Sequence, residues 1–160
     1  MRTLDYRTRF IELASEINAE MPEFVVGKVR AALNARKKAV NGARILVLGV
    51  AYKRDVNDVR ESPALDVIGL LAADGAEVNY HDPFVPELAE DGNRMASVAL
   101  TDQALTEADV VVIVTDHTDV DYAQVLERAA VVVDARNVTA ALLDESGSRS
   151  GAWIVKGGPE

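Results

Sequence analysis

The segment Ile45–Ala64, ILVLGVAYKRDVNDVRESPA, constrains the fold more than any other part of the chain. Its apolar, β-branched run Ile45–Val50 carries Gly49 near its end, gives way to a charge-dense loop, and resumes at Ser62-Pro63 as an apolar-periodic stretch. That order is the grammar of a first strand, a ligand-side loop and a helix N-terminus in a doubly wound α/β domain. Small molecules bind such domains at the carboxyl ends of the strands. Lys53, Arg54 and Arg60 therefore fall where an anionic ligand is expected.

The rest of the chain extends the pattern. From Thr8 to Lys38 the apolar residues Phe10, Leu13, Ala14, Ile17, Met21, Val25, Val29 and Leu33 recur at three- and four-residue steps, which predicts a helix. Pro22 removes one intrahelical donor and predicts a kink or restart. The basic tract Arg36–Lys38 suits the negative end of a helix dipole, and Asn41-Gly42 reads as the stop. After Arg44, strands and helices alternate. Strands are expected at Ile45–Val50, Glu77–His81, Val98–Leu100, Asp109–Thr115, Ala130–Asp134 and, as an edge, Trp153–Val155. Helices are expected at Pro63–Ala73 and Tyr122–Arg128. The near-continuous apolar run DVVVIVT is that of a central parallel strand buried on both faces. The fold class is α/β: a Rossmann-like, doubly wound parallel sheet preceded by a long N-terminal helix. Residues 1–42 form the helical part and 43–160 the sheet domain. A lone helix with an apolar stripe does not fold by itself, so this one must pack on the domain, on a second chain or on a further part of its protein.

Composition narrows the partners. Acidic residues outnumber basic ones 26 to 17, a formal charge of −9, which argues against a nucleic-acid or anionic-membrane surface and makes the cation cluster after the first strand a local exception. The chain has no cysteine, which excludes disulfides, thiolate metal sites and a thiol nucleophile. No apolar run reaches the ~18–20 residues that span a bilayer, and MRTLDYRTRF does not read as a signal peptide, so a cytoplasmic protein is expected.

The motifs point to binding rather than catalysis. A dinucleotide site needs G-x-G-x-x-G after the first strand, and here Gly49 stands alone with Tyr52, Lys53 and Arg54 in the turn. Asp82 resembles the ribose-binding acid of such sites but lies roughly thirty residues past Gly49, against an expected ~20. Independent NAD binding is therefore not expected. Lys53 and Arg60 are partners for phosphate oxygens, or else pair on a solvated loop with Asp55, Asp58 and Glu61. Tyr52 either stacks on a base or caps the core. Ser62 before Pro63 is a helix N-cap rather than a nucleophile. Thr115-Asp116-His117 and Asp134-Ala135-Arg136-Asn137 follow later strands on the same sheet edge. Arg136 is either a third cation there or a partner of Asp134. His81 and His117 neighbour carboxylates without a defined ligand spacing, and no Ser/His/Asp constellation is present.

GVAYKRDVNDVRESPAL, with GAEVNYHDPFVP, TDH and DARN, resembles the C-terminal, UDP-sugar-binding domain of the UDP-glucose/GDP-mannose dehydrogenase family. It is most similar to the branch acting on UDP-N-acetylglucosamine or UDP-N-acetylmannosamine. RFIELASEINAEM is similar to the late part of the family's central helical region, which joins the two domains and forms the dimer. The resemblance implies NAD-dependent oxidation of a sugar C6 alcohol to a carboxylate through a cysteine-bound thiohemiacetal and thioester. It implies that Tyr52, Lys53 and Arg136 contact the UDP-sugar, and that Arg60 reaches NAD bound mainly by an N-terminal domain. That domain and the catalytic cysteine are missing from this sequence. The chain alone is therefore expected to be inactive, with a homodimer through the N-terminal helix and a separate NAD-domain polypeptide as possible partners. Two alternatives stand beside this: a dimerising module with a vestigial nucleotide cleft, and the corresponding domain of a GDP-mannose 6-dehydrogenase.

Overall fold

A computed structural model describes residues 2–90, 93–143 and 153–156, with side chains described for 19–89, 93–143 and 154–155. Helix α1 (Arg2–Ala35) leads into strand β1 (Arg44–Leu48), helix α2 (Pro63–Ala73) and strand β2 (Glu77–His81). A two-stranded antiparallel hairpin, β3 (Glu87–Glu90) and β4 (Asn93–Ala96), follows. Helix α3 (Asp102–Glu107), β5 (Val110–Ile113), α4 (Tyr122–Arg128), β6 (Val131–Asp134) and β7 (Trp153–Lys156) complete the order. The main sheet has five parallel strands in the order β2-β1-β5-β6-β7.

Alternation along the strands builds two cores. Ile45, Val47, Val110, Val112, Val131 and Val133 face α1 and α2, and Leu46, Leu48, Val111, Ile113 and Val132 face α3 and α4. Both faces of the central strands are thus covered, which is why they read as unbroken apolar runs. The described part of α1 belongs to the first core: Val25, Val26, Val29, Ala32 and Leu33 are all buried. The side chains of Phe10–Ile17 lie outside those described.

Four expectations are corrected. First, α1 is one continuous helix through Pro22 rather than restarting there, because burial of its flank from Val25 onward offsets one lost donor. Second, it ends ahead of the basic tract. Lys37 takes a left-handed conformation, φ 57°, and Lys38 N–H reaches the Leu33 carbonyl at 2.9 Å while Lys37 N–H reaches Asn34 at 2.9 Å. The backbone of Lys37 and Lys38 thus caps the helix while the Lys38 side chain pairs with Asp109, and Gly42 only turns the chain into β1. Third, Val98–Leu100 is not a strand: Val98 N–H makes one ladder-like bond to the Tyr80 carbonyl, 2.8 Å, before Thr101 caps α3. Fourth, the β3–β4 hairpin and α3 were not anticipated, and β1, β5 and β6 are one to three residues shorter than their apolar runs. Helices α2 and α4 and strand β2 match their expected limits. Among the described residues no helix is long and apolar enough to cross a membrane.

Candidate functional site

Strand order reverses between β1 and β5: the chain leaves β1 for β2 on one side, and β5 lies on the other. The crevice outside the carboxyl ends of these strands is the binding position of an open α/β sheet. Three loops meet there, following β1, β5 and β6.

Gly49 starts the first loop at φ 79°, and a Cβ there would drive into the Thr115 carbonyl, so the two strand ends touch backbone to backbone. Asp82, at the end of β2, is buried and fixes what comes next. One of its oxygens accepts from the backbone N–H groups of Val50 (2.8 Å) and Ala51 (3.1 Å), the other from Phe84 (2.8 Å) and Val85 (3.1 Å). His117 Nε2 lies 2.8 Å from the same carboxylate, and Asp55 N–H donates to His117 Nδ1 at 2.9 Å. The second bond assigns the tautomer: Nδ1 is the acceptor, so Nε2 carries the proton toward Asp82. Both imidazole nitrogens are thereby engaged within the protein, and no cluster of metal-binding side chains occurs among the described residues. The Asp55 carboxylate accepts from Thr118 N–H and hydroxyl, each at 2.9 Å. Those bonds hold it below the usual carboxylate range. Ser62 caps α2, accepting from Ala64 N–H with Pro63 in the first turn.

A cleft of about 900 Å³ opens over this scaffold. Tyr52, Lys53 and Arg54 line it from the β1 loop, Thr115 from the β5 loop and Arg136 from the β6 loop. Met21 and Val25 of α1 supply an apolar wall, and Glu61 and Asp66 add carboxylates. Lys53 Nζ lies 5.3 Å from the Tyr52 ring centroid, and no carboxylate comes within ion-pair distance of it among the described residues. Tyr52 is 48% exposed, so it does not cap the core. Arg54 and Arg136 both bind Asp116, Arg136 through Nε at 3.0 Å. Asp134 takes the backbone N–H of Arg136 and the N–H and hydroxyl of Thr139, which leaves the Arg136 guanidinium for the cleft side.

Of the sequence candidates, Tyr52, Lys53 and Arg136 are brought together and Arg60 is not. Arg60 is bidentate on Asp58, at 3.0 and 2.7 Å, and its side chain is 86% exposed off the cleft wall. That pairing holds Asp58 down to about 2. Two participants were not picked out from sequence: Asp116 as the shared partner of two arginines, and Met21 as a wall. The four-residue step from Met21 to Val25 was a signal for the second, and nothing local signalled the first. The residues do not fit a dinucleotide laid against β1: the glycine-rich turn is missing and Asp82 is consumed by four backbone N–H groups and His117. What its described lining offers is cations, carboxylates, an aromatic edge and an apolar wall.

Comparison with known proteins agrees with this picture. The model of the UDP-glucose/GDP-mannose dehydrogenase family, UDP binding domain, matches residues 46–141. A UDP-N-acetyl-D-mannosamine dehydrogenase of Campylobacter jejuni is 35% identical over 114 residues, 69% of this chain and 27% of the relative. The UDP-glucose 6-dehydrogenase TuaD of Bacillus subtilis is 30% identical over 144 residues, 86% of this chain and 30% of the relative. Among solved structures, a UDP-D-ManNAc dehydrogenase of Pyrococcus horikoshii superposes with a TM-score of 0.71 at 27% identity, covering 92% of this chain and 33% of that one. The chain thus spans about three-tenths of the length of the curated relatives it matches.

Proposed function

Because the chain belongs to the UDP-glucose/GDP-mannose dehydrogenase family and carries its UDP binding domain, we propose that the cleft holds a UDP-sugar, with Tyr52, Lys53 and Arg136 as its contacts. The observation that carries this reading is Lys53: an ammonium on the cleft wall, beside an exposed aromatic ring, without a carboxylate partner among the described residues. Such a cation in a chain of net charge −9 is a docking point for phosphate oxygens. A UDP-N-acetylhexosamine is the sugar we favour, supported by the 35% identity to the mannosamine enzyme.

The whole activity we propose is oxidation of the sugar's C6 alcohol to a carboxylate in two NAD-dependent steps. This chain has no cysteine to form the covalent intermediates and no fitting dinucleotide turn, so both the thiol and most of the NAD site lie outside these 160 residues, on a further domain or a separate polypeptide. The exposed Arg60 is the residue we assign to NAD contact across that junction. We read residues 1–42 as the family's central helix and a homodimer contact, and 43–160 as the UDP-sugar domain. A strict monomer by light scattering at high micromolar concentration would remove the dimer.

The test of the site is Lys53→Ala. Loss of a charge-assisted bond of about 1.5–3 kcal/mol weakens UDP roughly ten- to a hundredfold in calorimetric titration. The exposed Glu127→Ala on α4 leaves UDP binding as it was. Equal affinity in the Lys53 variant and the parent contradicts the assignment.

A further inference from the structure

Asp116, in the loop three residues past β5, has a side chain only 6% exposed, yet its carboxylate holds guanidinium groups from two other loops. One oxygen takes Arg54 Nη2 and the other takes Arg136 Nε at 3.0 Å, while Arg54 Nε donates to the Asp116 carbonyl, also at 3.0 Å. Burial pushes the carboxyl toward protonation, but hydrogen bonds from Arg54 and Arg136 prevail and keep it below the ordinary range. Both arginines line the cleft; Asp116 does not, so it stands behind them. Nη1 of Arg54 and both terminal nitrogens of Arg136 have no protein partner among the described residues.

We propose that Asp116 is a positioning residue that yokes Arg54 and Arg136 into one paired-guanidinium anchor for a nucleoside diphosphate, which makes Arg54 an anion-binding residue of the cleft. This deepens the UDP-sugar reading and rests on it. Two guanidinium groups brought together repel. A shared carboxylate behind them offsets that repulsion and fixes both planes, leaving the outer donors for the ligand. Arg54 and Arg136 come from different loops and together keep three outer nitrogens without a protein partner among the described residues, so two adjacent phosphoryl groups fill more of these donors than a single one does. Preference for diphosphate over monophosphate is therefore the property this arrangement confers.

The experiment is titration of the purified chain and its variants with UDP and with UMP. Arg54→Ala weakens UDP about tenfold and UMP less than about threefold. Asp116→Asn does the same, because the amide nitrogen accepts nothing from a guanidinium and releases one arginine. The double variant is no worse than the worse single one, as expected for groups acting as a unit. A purely architectural role for Asp116 would lower the melting temperature and leave the UDP-to-UMP ratio unchanged. An unchanged ratio in both variants, with UDP still bound by the parent, overturns this inference and spares the cleft reading. Tighter UDP binding by Asp116→Asn also overturns it, since the carboxylate would then only repel the ligand. A parent chain that binds neither nucleotide overturns both. Should Asp116→Asn fail to fold, Arg54→Ala, at a side chain 58% exposed, decides alone.

Discussion

Gly49 shows how single residues set this site. It lies at φ 79° with the Thr115 backbone against the direction a side chain would take, so two independent constraints demand glycine. Gly49→Ala should destabilise the fold by more than about 2 kcal/mol, read as a lower urea midpoint at unchanged slope. A smaller loss would mean that the two loops separate without cost. The carboxylates make a second prediction. Asp116 is held low by its arginines and Asp55 by Thr118. A depressed folded-state pKa stabilises the fold above the unfolded value of about 3.9, and that contribution is lost as pH falls through the folded value. Stability should therefore decline below about pH 4, and less steeply in Asp116→Asn, in urea midpoints measured from pH 6 to 2. Lys53 was legible because a strand end announces its own loop. The double pairing of Asp116 was not, since Arg54 lies 62 residues away and Arg136 20, and only the strand order brings them together.

At the scale of elements, α2 was legible because its signal is local, Ser62-Pro63 at its start, and the structure adds Asp121 as the cap of α4, accepting from Gln124 N–H. The β3–β4 hairpin was not legible. Its strands are four residues each and polar at half their positions, with Leu88 the one buried residue described, so no period of two stands out. Val98–Leu100 misled for the opposite reason, being an apolar run but making only one backbone bond to β2, beside a bond between the Val98 carbonyl and the His81 ring. For α1, periodicity showed the buried stripe without showing what covers it. The structure places Val25–Leu33 under the sheet, so this half of the helix is integral to the fold. Leu33→Ala should accordingly cost about 2–5 kcal/mol, the range for truncating a fully buried leucine. A loss under about 1 kcal/mol in denaturant unfolding would make the helix an appendage.

At the scale of the molecule, the parallel sheet with its reversal between β1 and β5 decides where a ligand goes, and the charge pattern decides which kind. An acidic chain keeps three cations, Lys53, Arg54 and Arg136, on one cleft built from three loops. That placement was legible because each cation follows a strand, and all parallel strands end on the same edge. The volume of the cleft and its α1 wall needed the packed structure. Parallel calorimetric titration of the chain with UDP, GDP and NAD would show whether this cleft is a uridine-nucleotide site. The cleft should bind UDP saturably, GDP more weakly and NAD not at all. Binding of NAD alone, or silence toward UDP, would contradict that assignment.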